Sequence, residues 1–336
     1  MDLSLTAEQS QLVAALADLY GAYASPARVR AAEPGGFDKE LWDQLLALGV
    51  VAMAVDEDDE HRASEVDLAL AAEQQGRAVA PAPVIEAQVA ARLLAHTESP
   101  ALAAVVAGER LVTVALHPAD GGRARAVPAA AIADDAIVLA GDRLLLVPLE
   151  GARSAFENMG SLPLADVEVG ADATVLATGP GALAAHDEAL DDWLRLTAAT
   201  LGGIGARALE LGVSYVKERK AWGVPIGSFQ SVAHNLADAA TAVDGARLLA
   251  QEAAWAHDVA DARAPQLAAL AFAFATEAAR DACYKSLHFH GGYGFTLEYD
   301  VQLYWRRARA WAAVWGEPAQ AYRRAADRRY GEAGAA

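Results

Sequence analysis

The chain has 336 residues, of which 54% are apolar and 21% are charged, so it can form a folded protein with a sizeable core. Its 45 acidic and 27 basic side chains give a formal charge of −18, which argues against non-specific binding to nucleic acid or to anionic membranes. No signal peptide or membrane-spanning run of ~20 apolar residues is evident. The single cysteine, Cys283, excludes an intrachain disulfide. A buried, inert thiol in a cytoplasmic protein is therefore predicted.

The first hundred residues are predicted to be helical. Gly49 and Gly76 are the expected ends of two helices, and Pro81 and Pro83 interrupt the chain before the next one. The predicted helices begin with a capping box at Thr6 and Gln9 and continue over about Asp38–Leu48, Ser64–Gly76 and Glu86–Ala95.

From about Gly108 the sequence changes to short runs rich in Val, Leu and Ile, separated by turn-forming pairs of residues. Such runs are typical of strands. The predicted strands are Leu111–Leu116, Ala136–Leu139, Leu144–Leu149 and Ala165–Val169. We therefore expect a small β domain at Gly108–Thr178.

Long helices are predicted from Gly181 onward: Leu183–Lys220, a helix with an apolar seam over Phe229–Ala250, then Gln266–Phe289 and two shorter helices. The Gln266–Phe289 segment is apolar nearly all round, which predicts burial in a bundle centre or a subunit interface. The expected fold class is α+β. Its predicted parts are an N-terminal helical domain (1–107), an abbreviated middle β domain (108–180) and a C-terminal four-helix bundle (181–336).

Two glycine clusters, at 202–205 and 291–294, invite comparison with nucleotide-binding loops. Neither follows a strand and opens a helix, so a dinucleotide-binding fold is not predicted. The first cluster lies within a helical pattern, where small residues allow a helix or ligand to approach closely. The second follows His288 and His290, where exposed backbone amides can bind phosphate. No metal site is predicted from these histidines, because no cysteine or carboxylate lies close by.

The segment Glu218-Arg-Lys-Ala-Trp-Gly223 is followed by Gln230, eleven residues after Arg219. Taken by itself, this segment would be interpreted as a helix C-terminus that is enriched in basic residues. With F-Q, L-A-D and H-G-G-Y-G-F following in order, it resembles the E-R-x-x-F-G … F-Q signature of the acyl-CoA dehydrogenase family. The resemblance covers nearly the whole chain, strongly at the C-terminal end and loosely in the β domain. It implies that family's fold.

The resemblance also implies FAD-dependent desaturation of a CoA thioester. Arg219 would meet the FAD pyrophosphate through its planar guanidinium, and Trp222, in place of the usual Phe, would pack on the flavin or adenine. His288 replaces the usual Gln and can still donate one hydrogen bond. In the family this region contacts FAD bound mainly to the neighbouring subunit. The implied cofactor-binding residues are Arg219, Trp222, Gln230, His288, Gly291, Gly292 and Gly294.

The family's catalytic glutamate is missing from its usual place. In the family this base removes the substrate α-proton while a hydride passes to the flavin, so a carboxylate must face the flavin. At the usual position, aligned through Arg306–Arg309, this chain has Trp315. Glu317 lies two residues further on and would serve only after a local register shift.

The alternative position for the base also lacks a carboxylate. Next to the place of the family's substrate-contacting arginine lie Trp193 and Leu194, with Asp191 and Asp192 just before them. The catalytic residue is therefore not identified from the sequence.

Two loops depart from the family pattern as well. Leu116–Gly122 lacks the hydroxyl side chains of the flavin-binding loop, and Val55–Glu60 lacks the usual glycines. These losses fall in the half-site that a subunit presents to its own flavin ring, whereas the retained motifs reach a partner's flavin. The chain is in this respect similar to the degenerate subunit of bacterial heteromeric dehydrogenases that act on steroid side-chain CoA thioesters. We therefore predict an α₂β₂ assembly with a complete dehydrogenase subunit that supplies the base.

Three alternatives stay open at this point. In the first, the chain is an active homotetramer that uses Glu317 or Asp191 as base. In the second it is a non-catalytic scaffold or regulator, and in the third a family member that performs other flavin chemistry. No residue indicates the length of the acyl group.

Overall fold

The computed structural model describes residues 3–55 and 63–331, and the chain divides into two compact units. One consists of Met1–Pro26, Glu65–Ala80 and Leu194–Ala336, and the other of Ala27–Ser64 and Pro81–Trp193. Long helices and small sheets confirm the predicted α+β class. The division into three domains stays a prediction.

Along the chain, helices precede and follow a run of short strands. The helices are α1 (Ala7–Tyr23), α2 (Pro26–Ala32), α3 (Lys39–Ala47), α4 (Glu65–Ala78), α5 (Val84–His96), α6 (Ala101–Val106), α7 (Gly179–Glu218), α8 (Gln230–Asp258), α9 (Ala264–Phe289), α10 (Val301–Ala313) and α11 (Pro318–Tyr330). The strands are β1 (Val112–Val114), β2 (Arg123–Val127), β3 (Asp135–Ala140), β4 (Arg143–Pro148), β5 (Arg153–Ala155), β6 (Ala165–Glu168), β7 (Thr174–Thr178), β8 (Lys220–Ala221) and β9 (Val224–Pro225). Within the described ranges, no helix combines the length and apolar character needed to span a bilayer.

Local capping signals explain where the first helices begin. The Thr6 hydroxyl accepts from the Gln9 backbone N–H while the Gln9 side chain accepts from the Thr6 N–H, which confirms the predicted capping box. The Asp38 carboxylate caps α3 by accepting from the Leu41 backbone N–H, and Gly49 follows the helix with a φ of 82°.

The middle strands form two sheets, with strand orders β1-β3-β4-β7 and β2-β6-β5. β1 pairs in parallel with β3, and the remaining pairs in these sheets are antiparallel. The predicted strands correspond to β1, β3, β4 and β6. The sequence did not reveal β2, β5 and β7, because β2 carries two arginines and the other two expose most of their residues. Their apolar alternation is consequently weak.

The predicted end of the third helix at Gly76 is wrong, because α4 continues to Ala78. Gly76 is a packing position: a Cβ there would overlap the Thr200 carbonyl, and one at Gly203 would overlap the Glu73 carbonyl. These glycines let α4 and α7 cross with their backbones in close contact. The glycines of α7 therefore serve helix packing, in keeping with their prediction as close-approach residues.

The C-terminal helices pack around α9, which is buried along most of its length as predicted. Cys283 lies on α9 and is fully buried, and burial raises the pKa of its thiol. The inert-thiol prediction is thereby supported. On α8 the predicted apolar seam is buried at Leu236, Ala239, Val243, Ala246 and Ala250.

A buried ion pair joins α4 to α7. Arg195 Nε lies 2.7 Å from Glu65 Oε2, and the two side chains are only 1% and 2% exposed. The Glu65 backbone N–H donates to Asp258 Oδ1 at 2.7 Å, so α8 also contributes to this cluster. The cluster fixes the start of α4 within the helical unit.

Candidate functional site

Trp222 is presented to solvent on a strained turn directly after α7. It forms, with Gly223, the turn of the β8–β9 hairpin, and both residues have positive φ values, 51° and 83°. A left-handed conformation is unfavourable for a bulky residue. The indole is nevertheless 91% exposed, with its ring edge-on to Phe229 at a centroid distance of 5.8 Å. Strain and exposure together indicate a surface that a ligand or another chain covers.

The glycine loop after α9 has two kinds of glycine. Gly294 is buried, and a Cβ there would overlap the Leu287 carbonyl, so packing requires this glycine. Gly291 and Gly292 are exposed, and Gly291 has a φ of 65°. The two exposed glycines are free to present backbone amides to a ligand.

The two histidines that precede this loop differ in environment. His288 is exposed and stacks on Tyr284 with ring centroids 5.9 Å apart. His290 is buried, its Nδ1 lies 2.7 Å from the Ser286 carbonyl oxygen, and burial lowers its pKa. His288 is therefore the residue available to a ligand. Among residues 3–55 and 63–331, no cluster of three or more potential metal ligands occurs.

Tyr215 brings the two retained motifs together. Its ring stacks on His290 with centroids 4.1 Å apart, and its hydroxyl donates to the His290 carbonyl at 3.4 Å. The Tyr215 carbonyl also accepts from the Arg219 backbone N–H at 2.8 Å. The start of the hairpin and the glycine loop are therefore neighbours in the fold, although they are far apart in sequence.

The side chains around this junction suit an anionic ligand with a planar ring. The exposed Arg219 guanidinium makes no ion pair with any residue that the structure describes. Gln230 and His288 add exposed hydrogen-bonding groups, and Trp222 offers an aromatic face. A guanidinium matches two phosphate oxygens, and an indole stacks on a heterocycle. This set fits the predicted contacts with FAD.

The residue that the sequence predicts at the usual position of the base lies in the core. Trp315 is 5% exposed and packs edge-on against Phe272, with ring centroids 5.5 Å apart. Glu317 is exposed and accepts from Arg280 Nη1 at 2.5 Å and from Nη2 at 3.1 Å. Hydrogen bonding by Arg280 holds the pKa of Glu317 below its ordinary value. A carboxylate stabilised in this way is a weaker proton acceptor.

The residue predicted at the alternative base position is also a core residue. Trp193 is 3% exposed, and its indole N–H donates to Glu86 Oε1 at 3.3 Å. Asp192 pairs with Arg92 at 3.2 Å, and Asp191 is buried in α7. The Glu86 contact could not be predicted from the sequence, because a single glutamate in the first turn of a helix is ordinarily a helix-dipole residue.

The segment Leu116–Gly122 contains no hydroxyl side chain and joins the sheet through its backbone. The Ala119 N–H donates to the Leu139 carbonyl at 2.7 Å, and Asp120 and Arg123 exchange backbone hydrogen bonds of 3.0 Å. This part of the predicted flavin half-site is therefore a closed turn. The glycine-free segment Val55–Glu60 lies, after Val55, outside the described residues.

Comparison with known proteins identifies relatives over nearly the whole chain. Residues 189–326 match the family model described as "Acyl-CoA dehydrogenase, C-terminal domain". The chain is 30% identical over 328 residues to acyl-CoA dehydrogenase IpdE2 of Mycolicibacterium smegmatis, covering 95% of this chain and 98% of that protein.

Solved structures show the same fold. The Tcur3481–Tcur3483 steroid ACAD (G363A variant) matches with a TM-score of 0.85 and 27% identity, over 96% of this chain and 97% of the matched one. The ChsE4–ChsE5 complex from Mycobacterium tuberculosis matches with a TM-score of 0.88 and 24% identity, over 99% and 100% of the two chains. At that identity the second match supports the fold alone.

Proposed function

Because the chain belongs to the acyl-CoA dehydrogenase family, we propose that it is one subunit of an FAD-dependent acyl-CoA dehydrogenase whose partner subunit supplies the catalytic carboxylate. The reaction is α,β-desaturation of a CoA thioester. The observation that carries this proposal is the burial of Trp315 and Trp193, the two residues predicted at the positions of the base. An indole N–H is a donor only, so neither side chain can accept the α-proton.

The family is FAD-dependent, and FAD, when bound, would supply the acceptor for the hydride that leaves the β-carbon of the thioester. In this chain Arg219 would bind the pyrophosphate, and Gln230 and His288 would donate hydrogen bonds to the cofactor. Trp222 would stack on one of its ring systems. Gly291 and Gly292 would offer backbone N–H groups, whereas Gly294 keeps the loop packed on α9.

The partner is proposed to be a complete acyl-CoA dehydrogenase subunit in an α₂β₂ assembly. The similarity to the Tcur3481–Tcur3483 steroid ACAD supports this arrangement and favours a bulky acyl group such as a steroid side chain. The exposed indole of Trp222 also supports it, because exposed apolar surface is typical of a site that a ligand or another chain covers.

Glu317→Gln is expected to leave turnover of the assembled enzyme largely unchanged. The carboxylate is held by both Arg280 Nη atoms, and Glu317 lies in extended backbone at the cap of α11, in the short connection after α10 that also contains Trp315. The measurement is kcat of the assembled enzyme, with FAD content determined in parallel. A fall of several orders of magnitude with FAD still bound would identify Glu317 as the base and support the active homotetramer instead.

A further inference from the structure

A cavity of about 490 Å³ lies between the C-terminal part of α7, the first turns of α8 and the turn Ile226–Ser228 that precedes α8. Nearer the middle of α7 the two helices pack closely, through Ala206 on α7 and Ala239 and Val243 on α8. Beyond that contact, the alanines of α8 are too small to fill the space between the helices. We call this space the α7–α8 cavity.

The α7–α8 cavity has a packed base and an open mouth. At its base, Val216 and Leu236 are only 4% and 6% exposed. A Cβ at Gly227 would lie 3.1 Å from the Val216 carbonyl oxygen, so the turn before α8 is held closely against α7. Ala233 and Ala237 also line the cavity and are exposed, which places them at the mouth. The cavity is therefore a preformed apolar recess in the surface, and covering such surface is favourable.

The rim of the cavity is basic, although the chain as a whole carries a formal charge of −18. Lys217 lines the cavity, and Arg219 and Lys220 follow at the end of α7. All three are exposed, and none forms an ion pair with another residue in the described ranges. Glu218 instead accepts from Ser214 Oγ at 3.5 Å. Uncompensated positive charges around an apolar recess favour a ligand that brings a negative charge.

The cavity adjoins the surface on which Trp222 is exposed. Trp222 lies at the tip of the β8–β9 hairpin, and Pro225 at the end of the same hairpin lines the cavity. The Trp222 ring also contacts Phe229, the residue directly before α8. A chain that covers the indole would therefore extend over the mouth of the cavity. A small apolar ligand would fill the recess but would leave the indole and the basic rim uncovered.

We propose that the α7–α8 cavity is a docking site for the partner subunit, which inserts a large apolar side chain into the recess and places a carboxylate against Lys217. The proposal rests on the proposed function and adds to it the place where the partner is held. Large side chains in well-packed pockets contribute most of the binding energy at protein interfaces. The carboxylate is needed because covering the Lys217 ammonium group without a counter-charge is unfavourable.

Ala237→Trp fills the mouth of the cavity without removing a buried side chain. It should raise the Kd of the complex by about thirty-fold or more, as for the loss of an interface hot spot. The Kd is measured by diluting the co-purified complex and following its dissociation by analytical ultracentrifugation, with FAD in excess so that weaker cofactor binding is not mistaken for lost docking. Ala15→Trp, at an exposed alanine of α1, is the matched control and should leave the Kd unchanged.

Lys217→Glu should raise the Kd by about ten-fold or more, because the new carboxylate would repel that of the partner. Lys217→Met, which keeps the apolar stem, should raise it less. Arg323→Glu, at an exposed arginine of α11, is the control for reversal of one charge.

The docking proposal is overturned if the wild-type complex forms and either Ala237→Trp or Lys217→Glu, correctly folded, dissociates as the wild type does. It is also overturned if the chain alone forms a homo-oligomer that Ala237→Trp disrupts, because the occupant would then be a second copy of this chain. Failure of the wild-type chain to form any complex with a complete dehydrogenase subunit is a different result, and it would contradict the proposed function itself.

Discussion

Arg219→Ala is expected to weaken FAD binding by the assembled enzyme by roughly ten- to a hundred-fold. A charge-assisted hydrogen bond to phosphate in a partly desolvated site contributes about 1.5–3 kcal/mol, which corresponds to that change in Kd. Arg219→Lys should recover part of the loss, because an ammonium group cannot contact two oxygens with a planar fork. The measurement is an FAD titration of the co-purified complex after removal of the flavin.

The substitution should not unfold the chain, because Arg219 is exposed and follows the last residue of α7. Arg323→Ala, at an exposed arginine of α11, is the matched control for loss of one positive charge and should bind FAD like the wild type. If Arg219→Ala binds FAD as tightly as the control does, Arg219 only complements the helix dipole. The cofactor site proposed across the subunit boundary would then be wrong.

Glu65→Ala is expected to lower the free energy of unfolding by about 3–5 kcal/mol, the loss typical of removing one partner from a buried ion pair. It would leave the Arg195 guanidinium buried beside α4 without its 2.7 Å contact to a carboxylate. Asp43→Ala, which breaks the exposed Lys39–Asp43 pair, is the control and should cost less than about 1 kcal/mol. Chemical unfolding followed by circular dichroism provides the measurement.

A double variant separates the loss of the pair from the burial of one charge. Glu65→Leu combined with Arg195→Met replaces both charges by apolar side chains of similar size, so much of the stability should return. An equally unstable double variant would show that the pair itself, rather than an uncompensated charge, is required at the start of α4.

The sequence predicted the elements whose signals are local. The capping box at Thr6, the burial of α9 and the order of helices, strands and helices are confirmed, because caps and apolar periodicity act over a few residues. The predicted end of α4 was wrong because it depends on a contact between two helices rather than on a local signal. Gly76 carries a helix-stop signal locally, but its contact with Thr200 on α7 keeps it inside the helix.

In the candidate site, too, local motifs could be predicted from the sequence and contacts between helices could not. The motif at Arg219 and the glycine loop were found from residue order, whereas their meeting through Tyr215 depends on the packing of α7 and α9. The contact between Glu86 and Trp193 could not be predicted from the sequence. The two residues are 107 positions apart, and whether a carboxyl has a nearby cation is decided only by the tertiary fold.

The flavin content and native mass of this chain, purified alone and after co-expression with a complete acyl-CoA dehydrogenase from its gene neighbourhood, test the central claim most directly. If the chain only completes a partner's cofactor site, it should carry little or no flavin alone and tend to aggregate through exposed apolar surface. The co-expressed complex should be an α₂β₂ assembly that carries FAD. A stable homo-oligomer with one FAD per chain, purified in the absence of any partner, would contradict it.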